Sequence, residues 1–415
     1  MTSDKALLVI CDGMGDRVEH EFGDETPLGV AKTPNFDRLA SSGSVGIMDP
    51  IGPGIRPGSD YATTALLGYD PRVCYTGRGG LEAAGAGMTL KLGDVAFRCN
   101  FSTVDDNLTV IDRRAGRIEA GTSEIAETVR RIRPKGVKGL EVDFQATIAH
   151  RGVLVLKARG LSRMVSDVDP HETGVKILQS EPLDDSTSAK RTAAAVNDFV
   201  MQSFKMLKNH PVNIKRMQEG KLPANIMLPR GAGTLPPFTP LRELHGLSVA
   251  CIAAVSLVKG VCRVAGAELV PVEGATGGLD TNYDGKAYAA LKALENHDLV
   301  ILHVKATDVA SHDGDFKKKA SVIEKIDAAV GKILPSLAAS STYVIVTADH
   351  STPISVRDHS GNPVPLLING PGVPKSGVSK FSENAASRGN LGRLHGLDLM
   401  PMIADYLGKA KKLGF

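Results

Sequence analysis

The sequence predicts an α/β protein in which a doubly wound, mostly parallel sheet is interrupted by an inserted α+β unit. Three observations predict it. First, apolar, β-branched runs recur far apart in the chain and lead to acidic or imidazole side chains. They are Val9-Ile-Cys-Asp12, Leu299 to Val304 leading to Asp308 and His312, and Tyr343 to Val346 leading to Asp349 and His350. Continuous apolar runs of this kind suit strands covered on both faces. Second, 415 residues are too many for one ordinary core. Third, the texture changes near Cys74 to short, Gly- and Arg-rich segments and later returns to α/β runs. The expected division is 1–73 with 239–415, and an inserted unit at 74–238.

Composition narrows the class. The net charge of +3 gives no nucleic-acid or membrane signal. No run reaches the 18 or so apolar residues of a membrane span. Met1-Thr-Ser-Asp-Lys5 enters the first strand directly, leaving no room for a leader, and the five cysteines show no paired spacing. A soluble cytoplasmic protein is the expectation.

In chain order, a strand at Lys5 to Ile10 ends in Cys11-Asp12-Gly13-Met14-Gly15, where glycines allow a sharp turn and close approach to a ligand. Thr33-Pro34 starts a helix that stops near Ser42-Gly43, and Ser44 to Met48 is a second strand. A Gly-rich loop then meets Ser59, which is expected to cap a helix running to Leu67. In the inserted unit, Gly121 to Ile132 is a helix, Phe144–Ile148 and Gly152–Lys157 form a hairpin, and Thr187 to Leu207 is a long amphipathic helix. Strands follow at Asn225 to Leu228, Leu247 to Ala254 and Ala267 to Val272. Asp284 to Leu294 and Phe316 to Leu337 are helices, Val364 to Asn369 is the last strand, and a helix at Asp398 to Leu407 closes the chain.

Several residues carry possible chemistry beside a plain structural use. Ser59 sits where unpaired helix amides favour an anion, making it a nucleophile candidate. Lys259, read as lying in a turn after the Leu247 strand, could hold a phosphate. Arg98, Arg113, Arg114, Arg117 and Arg151 could include an anion-binding set. Asp169 and His171 stand in a dense polar turn, and Arg230 follows a strand. Asp12, Asp308, His312, Asp349, His350 and His359, with Ser59, supply enough groups for two divalent ions. Asp308 and His312, four apart, face one side of a helical turn and could chelate one ion. Mixed Asp and His ligands suit Mn2+, Zn2+ or Mg2+, and paired metals suit phosphoryl transfer.

The Cys11-Asp12-Gly-Met-Gly-Asp16 turn, Thr33-Pro-Asn-Phe-Asp-Arg-Leu-Ala40, Pro57-Gly-Ser59-Asp60 and Thr347-Ala-Asp349-His350-Ser-Thr-Pro353 span most of the chain. With Leu66-Leu-Gly-Tyr-Asp-Pro71, Tyr75-Thr-Gly-Arg-Gly79, Asp167-Val-Asp-Pro-His171, Ala306-Thr-Asp308, His312-Asp-Gly314 and His359-Ser-Gly-Asn-Pro-Val-Pro365, they resemble the alkaline phosphatase superfamily. More narrowly they resemble the archaeal-type cofactor-independent phosphoglycerate mutases. The resemblance implies an alkaline-phosphatase-like fold and an isomerase that interconverts 3-phosphoglycerate and 2-phosphoglycerate without 2,3-bisphosphoglycerate. It implies one ion on Asp12, Ser59, Asp349 and His350, and another on Asp308, His312 and His359. Mn2+ comes first, with Mg2+, Zn2+ or Co2+ as alternatives. Ser59 would accept the phosphoryl group, and Lys259 would lie near it. Arg98, Arg113, Arg117, Asp169, His171 and Arg230 would serve the substrate, and the inserted unit would close over it. A metal-dependent phosphatase or phosphonate-cleaving enzyme on the same scaffold, and a non-catalytic phosphometabolite-binding protein, are the alternatives.

Overall fold

The computed structural model describes residues 4–412 and 414, so the opening Met1–Ser3 lie outside the described residues. Its strands are β1 (Lys5–Cys11), β2 (Ser44–Asp49), β3 (Val95–Val104), β4 (Val110–Asp112), β5 (Glu141–Ala146), β6 (Arg151–Lys157) and β7 (Ile226–Gly233). They continue as β8 (Val249–Ile252), β9 (Glu268–Leu269), β10 (Leu299–Val304), β11 (Thr342–Thr347), β12 (Val364–Asn369) and β13 (Gly392–His395). Two compact units divide the chain: Met1–Tyr75 with Phe238–Phe415, and Thr76–Pro237.

The first unit carries an eight-stranded sheet in the order β13-β2-β12-β11-β1-β10-β8-β9. Only β12 runs against the others, pairing antiparallel with both β11 and β2. At its centre β1 pairs in parallel with β10 on one side and β11 on the other. All of β10 and β11 and nearly all of β1 are buried, which explains their unbroken apolar sequence. Register places Ile10 beside Thr347 and Cys11 beside Val304. The segments leaving β1, β10 and β11 therefore emerge together at the carboxyl end of the sheet, where open α/β sheets bind ligands.

The second unit is an antiparallel sheet, β4-β3-β6-β5, with β7 also paired to β3. The Thr187–Leu207 helix buries Ala189, Ala193, Val196, Phe199, Val200 and Leu207, a spacing of three to four residues that makes one apolar face. Phe199 lies in one core with Phe97, Phe101 and Phe144. Each such ring contributes roughly 1.5–3 kcal/mol by leaving water.

A buried polar brace stands behind the turn after β1. The fully buried Lys319 ammonium, on the Phe316–Ala339 helix, donates to Asp16 Oδ2 (2.8 Å), Thr352 O (3.1 Å) and Gly15 O (3.2 Å). Asp16 N–H donates in turn to Glu383 Oε1 at 3.2 Å, and the Thr26 hydroxyl donates to Glu383 Oε2 at 2.6 Å. Burial pushes the Glu383 carboxyl up to about 7. The folded state then binds a proton that the unfolded chain releases near its ordinary value, so this group's contribution falls as pH rises through the interval up to 7. Glu383→Gln is expected to flatten the pH dependence of Tm across pH 5–8. It should raise stability at pH 8 by on the order of 2 kcal/mol. Parallel melting curves of the two proteins check this.

Candidate active site

Four histidines, three carboxylates, one serine and one lysine converge at the carboxyl end of the first unit's sheet. Asp12 leaves β1, Lys305 and Asp308 follow β10, and Asp349 and His350 follow β11. Gly13 makes the turn after Asp12 with φ +67°, and a Cβ there would come within 2.8 Å of Asp308 and of the Thr352 hydroxyl. The Ala306–His312 helix places Asp308 and His312 on one side, with His312 Nε2 3.4 Å from Asp308 Oδ2. His359 Nε2 is 3.6 Å from Asp308 Oδ1. His350 Nε2 is 3.4 Å from Asp12 Oδ1, 3.5 Å from Asp349 Oδ2 and 3.1 Å from Ser59 Oγ.

Ser59 opens the Ser59–Leu66 helix, and Gly58 takes the capping position that the sequence assigns to Ser59. Its hydroxyl thereby sits beside the unpaired amides of the first turn. Lys305 Nζ lies 2.8 Å from Asp12 Oδ1, 2.7 Å from Asp308 Oδ2 and 3.4 Å from Ser59 Oγ. Lys259 is not in a turn. It is the fourth residue of the Ser256–Val264 helix, because Leu257, Val258, Val261 and Cys262 repeat with helical period and Gly260 is buried within them. Among the described residues, Lys305 is the ammonium at Ser59.

Electrostatics separate the groups. Burial works against the Lys305 charge, but Asp12 and Asp308 hold its ammonium well above the ordinary range. Burial would raise Asp308, but hydrogen bonding to His312 and the charge of Lys305 hold it well below the usual carboxylate range. His312 is raised to about 9 by Asp308. Burial, then the Asp12 charge, push Asp349 well above its ordinary value. Burial lowers His350 to about 3 and keeps its ring neutral at pH 7.

Donor chemistry fits divalent cations. Asp308, His312 and His359 form one group whose ligand atoms lie within 4.8 Å of one another, and Asp12, Asp308 and His350 form another. Asp349 Oδ2 is buried with no hydrogen-bond partner among the described residues, and Asp12 Oδ2 makes no aligned hydrogen bond either. Two residues missed from sequence belong here. His303, fully buried on β10, has Nε2 2.9 Å from Asp12 Oδ2 and forms a further group with Asp12 and Asp349. Lys305 is the other. Its signal was available: it stands three residues before Asp308, on the same strand end.

The arginines lie in the second unit. Arg98 on β3 and Arg230 on β7 are register neighbours, and the Nε of each is buried without a hydrogen bond among the described residues. Burial, then the charges of Arg78 and Arg230, lower Arg98 to about 9. Glu82 is 3.9 Å away. Arg113 is committed to Asp169 through two hydrogen bonds of 2.8 and 2.7 Å, and Arg230 Nε lies 3.9 Å from the same carboxylate. His171, with φ +66°, is exposed and has Nδ1 3.5 Å from Arg230 Nη1. Arg117 departs from the expected set: it is exposed and lines another cavity of about 480 Å³ with Arg216 and Lys221. Its own φ of +57°, following left-handed Ala115 and Gly116, turns the chain there.

A family profile for 2,3-bisphosphoglycerate-independent phosphoglycerate mutase matches residues 40–213. A protein of that name from Methanosphaera stadtmanae is 47% identical over 99% of this chain and 100% of its own length. Among solved structures, the PH0037 protein of Pyrococcus horikoshii has a TM-score of 0.87 and 36% identity, with both chains fully covered. The cofactor-independent phosphoglycerate mutase of Thermoplasma acidophilum has a TM-score of 0.72 and 34% identity, covering 98% of this chain and 100% of that one. By this likeness along its whole length, the chain belongs to the 2,3-bisphosphoglycerate-independent phosphoglycerate mutase family.

Proposed function

We propose that this protein interconverts 3-phosphoglycerate and 2-phosphoglycerate, without 2,3-bisphosphoglycerate, through a phosphoserine at Ser59. The observation that carries the reading is Ser59 Oγ at a helix start, in contact with both His350 Nε2 and Lys305 Nζ inside the Asp/His cluster. Asp12, Asp349 and His350 with Ser59 would hold one divalent ion, and Asp308, His312 and His359 the other, Mn2+ being the first choice for this donor set. Such ions neutralise phosphoryl charge and acidify a bound hydroxyl.

The chain's own groups do the rest. Ser59 Oγ bonds to phosphorus as the bond to the glycerate 3-oxygen breaks, and the 2-oxygen later takes the phosphoryl group back. Lys305 and the amides of the Ser59 helix offset charge at the seryl oxygen. Glycerate has to be retained between the two transfers, which distinguishes a mutase from a phosphatase. We assign that retention to two half-buried arginines of the second unit, Arg98 and Arg230, because their Nε groups have no hydrogen-bond partner among the described residues and arginines crowd around them. Arg113 positions Asp169 rather than reaching for substrate. The same reading places the reaction in glycolysis and gluconeogenesis in the cytoplasm; among the described residues no helix is long and apolar enough to cross a membrane.

An enolase-coupled assay on 3-phosphoglycerate, with Mn2+ and without 2,3-bisphosphoglycerate, tests the reading. Steady formation of 2-phosphoglycerate, abolished by EDTA, is the expected result. Release of inorganic phosphate alone would leave the phosphatase alternative. In the same assay Arg98→Gln should raise KM by about 10- to 100-fold, the cost of one or two charge-assisted hydrogen bonds, with Tm little changed.

A further inference from the structure

His312, His350 and His359 each present Nε2 inward and engage Nδ1 elsewhere. His312 Nδ1 is 2.8 Å from Arg357 O and His359 Nδ1 is 2.7 Å from Pro57 O. A carbonyl only accepts, so both rings carry a proton on Nδ1. His350 is the exception. Its Nδ1 partner, at 3.0 Å, is the hydroxyl of Thr352, which can donate or accept.

The ambiguity is resolved on the other side of that hydroxyl. Thr352 Oγ1 also lies 2.9 Å from Asp308 Oδ1. The Asp308 carboxylate can only accept, so the single hydroxyl proton goes to Asp308. Thr352 Oγ1 must then accept from His350 Nδ1–H. The ring's other nitrogen, Nε2, is left with its lone pair directed at Ser59 and Asp12.

We propose that Thr352 is a positioning residue: its hydroxyl sets the tautomer of His350 and couples His350 to Asp308. In the two-ion assignment proposed above, His350 and Asp308 serve different ions, so one hydroxyl links both. Its placement is fixed by backbone. Thr352 N–H donates to Gly15 O at 3.0 Å, and Thr352 O accepts from Lys319 at 3.1 Å. The residue is fully buried, so water does not replace the hydroxyl. The metal role of His350 rests on the function proposed above; the tautomer assignment does not.

Three proteins test this: wild type, Thr352→Ser and Thr352→Val. Two readouts need no substrate. In long-range ¹H–¹⁵N spectra of metal-free, ¹⁵N-histidine-labelled protein, His350 (assigned by its loss in His350→Gln) should be the Nδ1–H tautomer in wild type and Thr352→Ser. Titration calorimetry with Mn2+ should show about 10- to 100-fold weaker binding in Thr352→Val, the usual range for losing a partner that orients a ligand. Thr352→Ser should stay within about threefold of wild type, since the hydroxyl is retained. An Nε2–H tautomer in wild type overturns the proposal, as does wild-type Mn2+ affinity in Thr352→Val. Thr352→Ser as damaged as Thr352→Val would also overturn it, because the methyl rather than the hydroxyl would then matter. Should Thr352→Val fail to fold, the wild-type and Thr352→Ser spectra still decide. If the expected spectra and affinities accompany an inactive wild type, the functional reading fails and this one stands.

Discussion

Ser59→Ala is expected to lower kcat for mutase turnover by about 10⁴-fold or more, the scale seen when a nucleophile is removed from an otherwise intact site. The loss is chemical rather than structural. Gly58, not Ser59, caps the helix, and the fold keeps every backbone hydrogen bond when Oγ is removed. Stability, read from melting curves, should therefore change by no more than the roughly 0.5 kcal/mol typical of a surface substitution. Mn2+ binding should weaken but persist, because Asp12, Asp349 and His350 remain. Mass spectrometry of protein quenched during turnover should show one added phosphoryl group in wild type and none in Ser59→Ala. A variant retaining even a tenth of the activity would remove Ser59 from the chemistry.

Asp349→Asn is expected to move stability and activity in opposite directions. The Asp349 carboxylate is buried beside Asp12, and both burial and that charge oppose its ionisation. Its Oδ1 accepts from Gly13 N–H at 3.2 Å and from its neighbour His350 N–H at 3.0 Å. Asparagine keeps that acceptor and removes the repelling charge. In EDTA the variant should be more stable than wild type, by on the order of 1 kcal/mol, and melt higher. In excess Mn2+ the order should reverse. Wild type gains about 2.7 kcal/mol at a hundred times Kd, and the variant gains little. Mutase activity should fall by about 10³-fold with the loss of an anionic ligand. Melting curves with and without Mn2+ check both signs. Equal melting of the two proteins in EDTA would show that Asp349 is not held against its neighbours' charge.

The parts of this site that could be read from sequence are those set by local pattern. β1, β10 and β11 are buried on both faces, so their runs are unbroken, and the polar residues that end them stand out. The Asp308 to His312 spacing says that both face one way. The Thr187–Leu207 helix has a period that needs no tertiary information. What could not be read depends on partners distant in the chain. The reversed direction of β12 and the place of β13 follow from pairing with β2, and β13, as Gly392–His395, is short and largely exposed at a sheet edge. Lys305 reads as an ordinary strand-end lysine until β1 brings Asp12 to it. Thr352 reads as part of a turn until Asp308 arrives from another strand. Gly260 suggests a turn at Lys259, whereas a helical period runs through it. Arg117 looked equivalent to Arg98, but three successive residues with positive φ carry it to another cavity.

The central claim is that the phosphoryl group passes through Ser59 and returns to the same glycerate, and its most direct measurement is the fate of the label. ³²P-labelled 3-phosphoglycerate is incubated with the Mn2+-loaded enzyme, and products are separated after a few turnovers. The account predicts label in 2-phosphoglycerate and transiently on Ser59, with little in inorganic phosphate. Label appearing mainly as inorganic phosphate, or reaching 2-phosphoglycerate unchanged in Ser59→Ala, would contradict it.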